Sequence, residues 1–205
     1  MTKLKNILKY DKKIMIFLNV IAVIGIISGS IFVVIINKND KKTMIESITN
    51  LFNKIKNDNF EFASIFKNTF LNNFITAFII WIIGISVIGI VITILLVFYK
   101  CFILSFTISS IIYTYSFKGI ILSIIYIFPH MVINILAFLY ISSYSIKLTI
   151  ILIKTILRRE NLNFKLFFNN YLKILLVSVI ILIFSSIYES IVMPYILKSL
   201  VKFLI

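Results

Sequence analysis

Residues 14–36 carry no charged side chain, an unbroken apolar run of 23 residues. At about 1.5 Å of rise per residue, a helix of that length covers the roughly 30 Å hydrocarbon layer of a bilayer. A helix also satisfies its own backbone hydrogen bonds where no water is available. Similar runs follow at 74–99, 101–117, 120–146 and 174–197, and only the last contains an acid, Glu189. Of the 205 residues 61% are hydrophobic and 14% charged, whereas soluble domains have about 45–50% apolar and about a quarter charged residues. The expected fold is therefore all-α: a polytopic transmembrane helix bundle of about five spans, forming a single integral membrane domain over 1–205. The first run is too long for the apolar core of a cleavable signal, about 7–15 residues, and it ends in Phe32, Val33, Val34, Ile35 and Ile36 rather than in a small-residue exit. It reads as an uncleaved first span.

The breaks between runs set the topology. A polar stretch at 37–73 separates the first two spans, Lys100 the second and third, Lys118 with Gly119 the third and fourth, and a basic stretch at 147–173 the last two. Five crossings place twelve Lys and Arg on the side of the N-terminus and nine on the other. Cations favour the inner side, so the N-terminus is expected in the cytoplasm and the C-terminus outside. Pro129 leaves a second path for the fourth run. Residues 119–128 then form a half-helix dipping into the outer leaflet, and the span starts near Pro129 and extends toward Lys154.

Both larger loops are patterned. Outside, Thr43 and Glu46 have the spacing of a helix capping box. Ile48, Leu51, Phe52 and Ile55 then recur at helical period, Asn57 to Asn59 read as a turn, and Phe62, Ile65, Phe66 and Phe70 repeat the period. Two short amphipathic helices result. Their apolar faces, with Ile48, Leu51, Phe52, Ile55, Phe62 and Phe66, lie either in the headgroup layer or against an extracytoplasmic partner. Inside, Arg158, Arg159, Lys165 and Lys173 flank Phe164, Phe167, Phe168 and Tyr171, the pattern of a basic amphipathic helix on an anionic leaflet.

Several chemistries are excluded by counting. One Cys, Cys101, has no partner for an intramolecular disulfide, and one His with one Cys cannot complete a zinc site. No P-loop or dinucleotide fingerprint occurs, so no cofactor or metal is expected. The net charge of +14 suits anionic lipid along the loops, and no nucleic acid is expected as partner. Within the spans, His130 and Glu189 are the ionisable groups that need explaining, because burying charge in lipid is costly. Counting helical rise puts them roughly 15 and 12 Å below the outer ends of their runs. A hydrogen bond between them is thus allowed; bonds to a neighbouring carbonyl or Ser are the other solution. Gly25 and Gly29 form a GxxxG face, and Ser105 with Ser109 and Ser186 with Ser190 form small-residue faces, for packing within the monomer or in a homo-oligomer. Serine-dependent proteolysis needs a Ser paired with a base, and no Ser is singled out.

The order of these features carries a resemblance. Asn72 and Asn73 lead into a span with Ala77, Gly84 and Gly89; Pro129 precedes His130 mid-chain; Glu189 stands five residues before Pro194. In these features the chain resembles the stage II sporulation protein M family, small polytopic membrane proteins. It departs from the family's tendencies at Lys100 and Cys101, where an Asn-Gly is usual, at Met131, often Gly, and at Asn134, often an acid. The resemblance implies a non-enzymatic scaffold in the mother-cell membrane during engulfment of the forespore. It would recruit stage II sporulation proteins D and P, which are bitopic and process septal peptidoglycan. The rival expectation is a permease or transporter subunit that uses His130 and Glu189 in a polar intramembrane site beside a Pro-broken helix.

Overall fold

A computed structural model of the chain describes residues 11–56, 62–158 and 164–196. Every element in these residues is helical: α1 (Lys12–Ile35), α2 (Lys38–Lys56), α3 (Phe62–Ile83), α4 (Gly89–Leu122), α5 (Phe128–Arg158) and α6 (Phe164–Ile187). Two π-helical turns, Ser123–Ile127 and Tyr188–Val192, precede α5 and follow α6. Five helical stretches are long and apolar enough to cross a membrane: Lys12–Ile35, Phe62–Ile83, Gly89–Ile125, Phe128–Arg158 and Phe168–Ile196.

α1 starts where the Asp11 carboxylate accepts the Lys13 amide at 3.1 Å, satisfying a donor that the first helical turn leaves free. Its buried residues, Leu18, Ala22, Gly25, Gly29 and Val33, recur every three or four positions and make one stripe. That stripe packs on α4. A Cβ on Gly25 would lie 2.8 Å from the Phe98 carbonyl oxygen, and one on Gly29 would overlap that of Phe102. The Ser30 and Ser105 hydroxyls meet across the contact at 2.6 Å. The GxxxG face is thus filled within the monomer by close backbone approach.

The apolar stretch from 74 to 117 divides differently from the sequence expectation. No turn occurs at Lys100; the chain reverses at 84–88, so the expected spans 74–99 and 101–117 are replaced by α3 and α4. Tight three-residue hydrogen bonds, Ile85 to Ile82 at 3.1 Å and Ser86 to Ile83 at 2.8 Å, close the turn. Gly89 is required there, because a Cβ would overlap the Ile83 carbonyl. Lys100 lies inside α4 with its ammonium over the Phe138 ring at 5.0 Å. The ring face attracts the cation, and the long aliphatic stem tolerates apolar surroundings.

The next reversal is at Ser116, where φ is 52°, two residues before the Lys118–Gly119 break; α4 is thus two helices joined at this residue, a long one before it and a short return after it. Gly119 then lies against the outgoing helix, where a Cβ would come 2.8 Å from Ile112 Cα. From there the chain stays helical through Pro129 to Arg158. Residues 119–128 therefore lead into α5 without a break, and α5 passes both Ile146 and Lys154. The loop expected at 147–173 shrinks correspondingly. Tyr171 is fully buried in α6, which belongs to the bundle and does not lie on a leaflet; Arg159 and the side chains of Phe164, Lys165 and Phe167 lie outside the described residues.

The external stretch also differs. α2 begins at Lys38 with the Asn37 carbonyl accepting the Lys41 amide at 2.9 Å. Thr43 is therefore inside the helix, where its hydroxyl donates to the Asn39 carbonyl at 3.2 Å, and it caps nothing. Phe62 to Phe70 do not form a separate short helix: they open α3, and their period continues into the membrane. Phe62, Phe66, Phe70, Phe74 and Phe78 stack in sequence with centroids 5.7 to 6.2 Å apart. The side chains of Leu51, Phe52 and Ile55, and the turn expected at 57–59, lie outside the described residues.

Among the described residues, two of three apolar clusters join helices across the middle of the bundle. Ala77, Ile80 and Trp81 of α3 pack with Phe138 and Ile141 of α5 and Leu175 and Leu182 of α6. Leu18 and Ala22 of α1 pack with Val97 and Cys101 of α4 and Leu139 and Ile146 of α5. α5 contributes to both, so it is the central helix.

Candidate functional site

The chain has two prolines, and each is preceded by a π turn ending two residues earlier: Ser123–Ile127 before Pro129, Tyr188–Val192 before Pro194. The cause is local. Proline has no amide hydrogen, and its ring crowds the carbonyl four residues back, which is Ile125 in one case and Ser190 in the other. A wider turn relieves that crowding without ending the helix. The two units set the site: His130 follows Pro129 directly, and Glu189 lies within the second π turn.

They bring the two ionisable groups together. His130 Nε2 lies 3.8 Å from Glu189 Oε2, longer than a direct hydrogen bond of about 2.7–3.2 Å and within reach of an ion pair when the imidazole is protonated. The other carboxylate oxygen, Oε1, accepts from Thr69 Oγ1 of α3 at 3.1 Å. The Ser185 hydroxyl donates to the His130 carbonyl at 3.1 Å, tying α6 to α5 at this level. The pair is within ion-pair reach and not joined by a direct hydrogen bond; the carboxylate takes its hydrogen bond from Thr69, and Ser185 bonds the backbone carbonyl of His130, not its ring.

The pair opens onto a cavity of about 520 Å³ beneath α2. Met44 and Ile48 line it from α2, Ile111 from α4 and Met131 from α5, with Asp40 also among its lining residues. Ile48 is half-buried and packs on the cluster of Ile111, Leu122 and Ile127. It therefore turns into the protein, while Phe62 is 49% exposed and Phe66 half-buried on α3. Of the suggested docking residues whose side chains are described, Ile48 does not share a face with Phe62 and Phe66.

The opposite end of the bundle holds a polar lock that the sequence reading missed. The last carbonyls of a helix have no partner within it. Here Trp81 O accepts from Tyr171 Oη at 2.8 Å and Gly84 O from Thr149 Oγ1 at 2.7 Å, while Ile80 O, already bonded by the Gly84 amide at 3.2 Å, also accepts from Ser145 Oγ at 2.9 Å. Trp81 Nε1 returns a bond to the Tyr171 carbonyl at 3.1 Å, and the two rings stack at 5.3 Å. A Cβ on Gly84 would run into Ser145 Oγ and Tyr171 Oη. Gly84 was visible only as a small residue. Thr69, Ser145 and Thr149 gave no signal, because their partners are 65 to 120 residues away.

Comparison with curated proteins and with solved structures found no match. A family model described as stage II sporulation protein M matches residues 15–194. That range covers all five apolar helices in whole or large part, the polar lock and both proline-linked π turns. The chain belongs to the stage II sporulation protein M family.

Proposed function

We propose that this protein is a non-enzymatic membrane scaffold that recruits and localises septal peptidoglycan-degrading proteins during forespore engulfment. The observation that carries the reading is the family match over residues 15–194. Its partners are the stage II sporulation proteins D and P, and it sits in the mother-cell membrane with the N-terminus cytoplasmic and the C-terminus outside. The Phe ladder of α3 supports this: it starts at the exposed Phe62 and continues through Phe66 and Phe70 to Phe78, 39% exposed. Such a face offers a partner's single membrane anchor an aromatic track, and helix association in lipid relies on packing of this kind.

The test is photocrosslinking in sporulating cells. A crosslinker at Phe62 or Phe66 is expected to capture proteins D and P, whereas one at Ile48, which faces the protein's own cavity, is expected to capture neither. A deletion strain should stall at septal thinning; normal engulfment without the protein would overturn the reading.

A further inference from the structure

We propose that the cavity beneath α2 binds an amphiphilic cation, meaning an ammonium or phosphonium centre carried on an apolar body. This does not depend on the scaffold reading. About 520 Å³ falls within the range of small-molecule sites, roughly 300–1,000 Å³, which are mostly apolar with a few placed polar groups. The walls supply Met44, Ile48, Ile111 and Met131 for an apolar body, whose transfer from water is favourable in proportion to the area buried.

The charge decides the sign of the head group. The chain has 21 Lys and Arg and a net charge of +14, yet the cavity is lined by Asp40, His130 and Glu189 and, among the described residues, by no Lys or Arg. The cations beside it on α2 are turned elsewhere. Lys41 donates to the Val34 carbonyl at 3.3 Å and lies over the Tyr113 ring at 4.6 Å, and Lys42 faces Glu46 at 4.0 Å. Asp40 is exposed, at the rim; the Glu189 side chain is 22% exposed. A carboxylate can accept about four hydrogen bonds, and Glu189 receives one from Thr69, with the imidazole 3.8 Å off. A largely buried carboxylate is stabilised by a cation brought to it. A neutral ligand would leave it as it is, and an anion would meet two acids.

The full-length protein in zwitterionic nanodiscs, with empty nanodiscs as blank, tests this by equilibrium dialysis with two ions of the same shape and opposite charge. Tetraphenylphosphonium is expected to bind saturably and tetraphenylborate not. Glu189→Gln should weaken phosphonium binding about tenfold and Asp40→Asn about threefold, as for loss of a buried and of a rim charge contact. Ser47→Trp, at an exposed α2 position lining the cavity, should abolish binding by filling the space. Maleimide labelling of Cys101, 1% exposed in the fold, checks that each variant is folded. If Glu189→Gln does not fold, Asp40→Asn and Ser47→Trp still decide. Equal binding of both ions, or phosphonium binding unchanged in Glu189→Gln, in Asp40→Asn or in Ser47→Trp, overturns the proposal.

Discussion

At the end of the bundle that carries the 84–88 turn, three carbonyls, those of Ile80, Trp81 and Gly84, receive a hydroxyl from α5 or α6: Ser145, Tyr171 and Thr149. At the cavity end the same kinds of group are matched less completely. Two π turns interrupt regular hydrogen bonding, the chain reverses through a positive φ at Ser116, and the buried Ser123 Oγ, Asn134 Oδ1 and Ser186 Oγ have no hydrogen-bond partner in the structure, against Ser142 Oγ alone near the lock. Lipid offers no water to replace a missing partner, so polar groups there are either paired in the protein or left at a cost. Removing contacts at the locked end is therefore expected to cost more stability than removing them at the cavity end. The cavity end keeps unspent hydrogen-bonding capacity, which is where a ligand or partner has something to bind.

The largest expected effect follows from closing the lock sterically. Gly84→Val places carbon where Ser145 Oγ and Tyr171 Oη stand, displacing two donors at once, and should destabilise by roughly 3 kcal/mol or more. Unfolding is read by maleimide labelling of Cys101, the chain's one Cys, as temperature rises in detergent. A wild-type midpoint would remove the basis for expecting the larger cost at this end. Tyr171→Phe is milder. It keeps the ring stacked on Trp81 and leaves the Trp81 carbonyl without its 2.8 Å donor, at a cost of about 1–3 kcal/mol for a buried unsatisfied group. The chain has one Trp, so Trp81 emission should shift in the folded Tyr171→Phe variant. An unchanged spectrum and midpoint would mean the hydroxyl contributes nothing.

The sequence made the number of spans legible, because charge-free runs of span length have few other uses. It also made the cavity pair legible: His130 and Glu189 are ionisable groups inside apolar runs, and counting helical rise puts them at similar depth. The 84–88 turn was hidden for a physical reason. Ile85, Val87 and Ile88 are exposed apolar residues, and in a membrane protein a turn facing lipid or headgroups need not be polar, so hydropathy reads it as span. Lys100 misled in the opposite sense, since one cation resting on Phe138 fits inside a helix while looking like a boundary. Tyr171 had the right helical period, but periodicity does not tell a face turned to lipid from one turned to Trp81.

The smallest expected effect is also the one that separates the two ends most sharply. Ser185 and Ser186 are adjacent, and both are 0% exposed. The Ser185 hydroxyl donates to the His130 carbonyl at 3.1 Å, whereas the Ser186 hydroxyl has no hydrogen-bond partner. Ser185→Ala should therefore cost about 1 kcal/mol, and Ser186→Ala should change stability by less than about 0.5 kcal/mol or raise it, because an unmatched hydroxyl in an apolar setting is better removed. The Cys101 labelling transition measures both. If Ser186→Ala costs as much as Tyr171→Phe, the Ser186 hydroxyl is satisfied in the membrane by water or a ligand reaching that depth. The cavity end would then be matched after all, by a group that the protein itself does not supply.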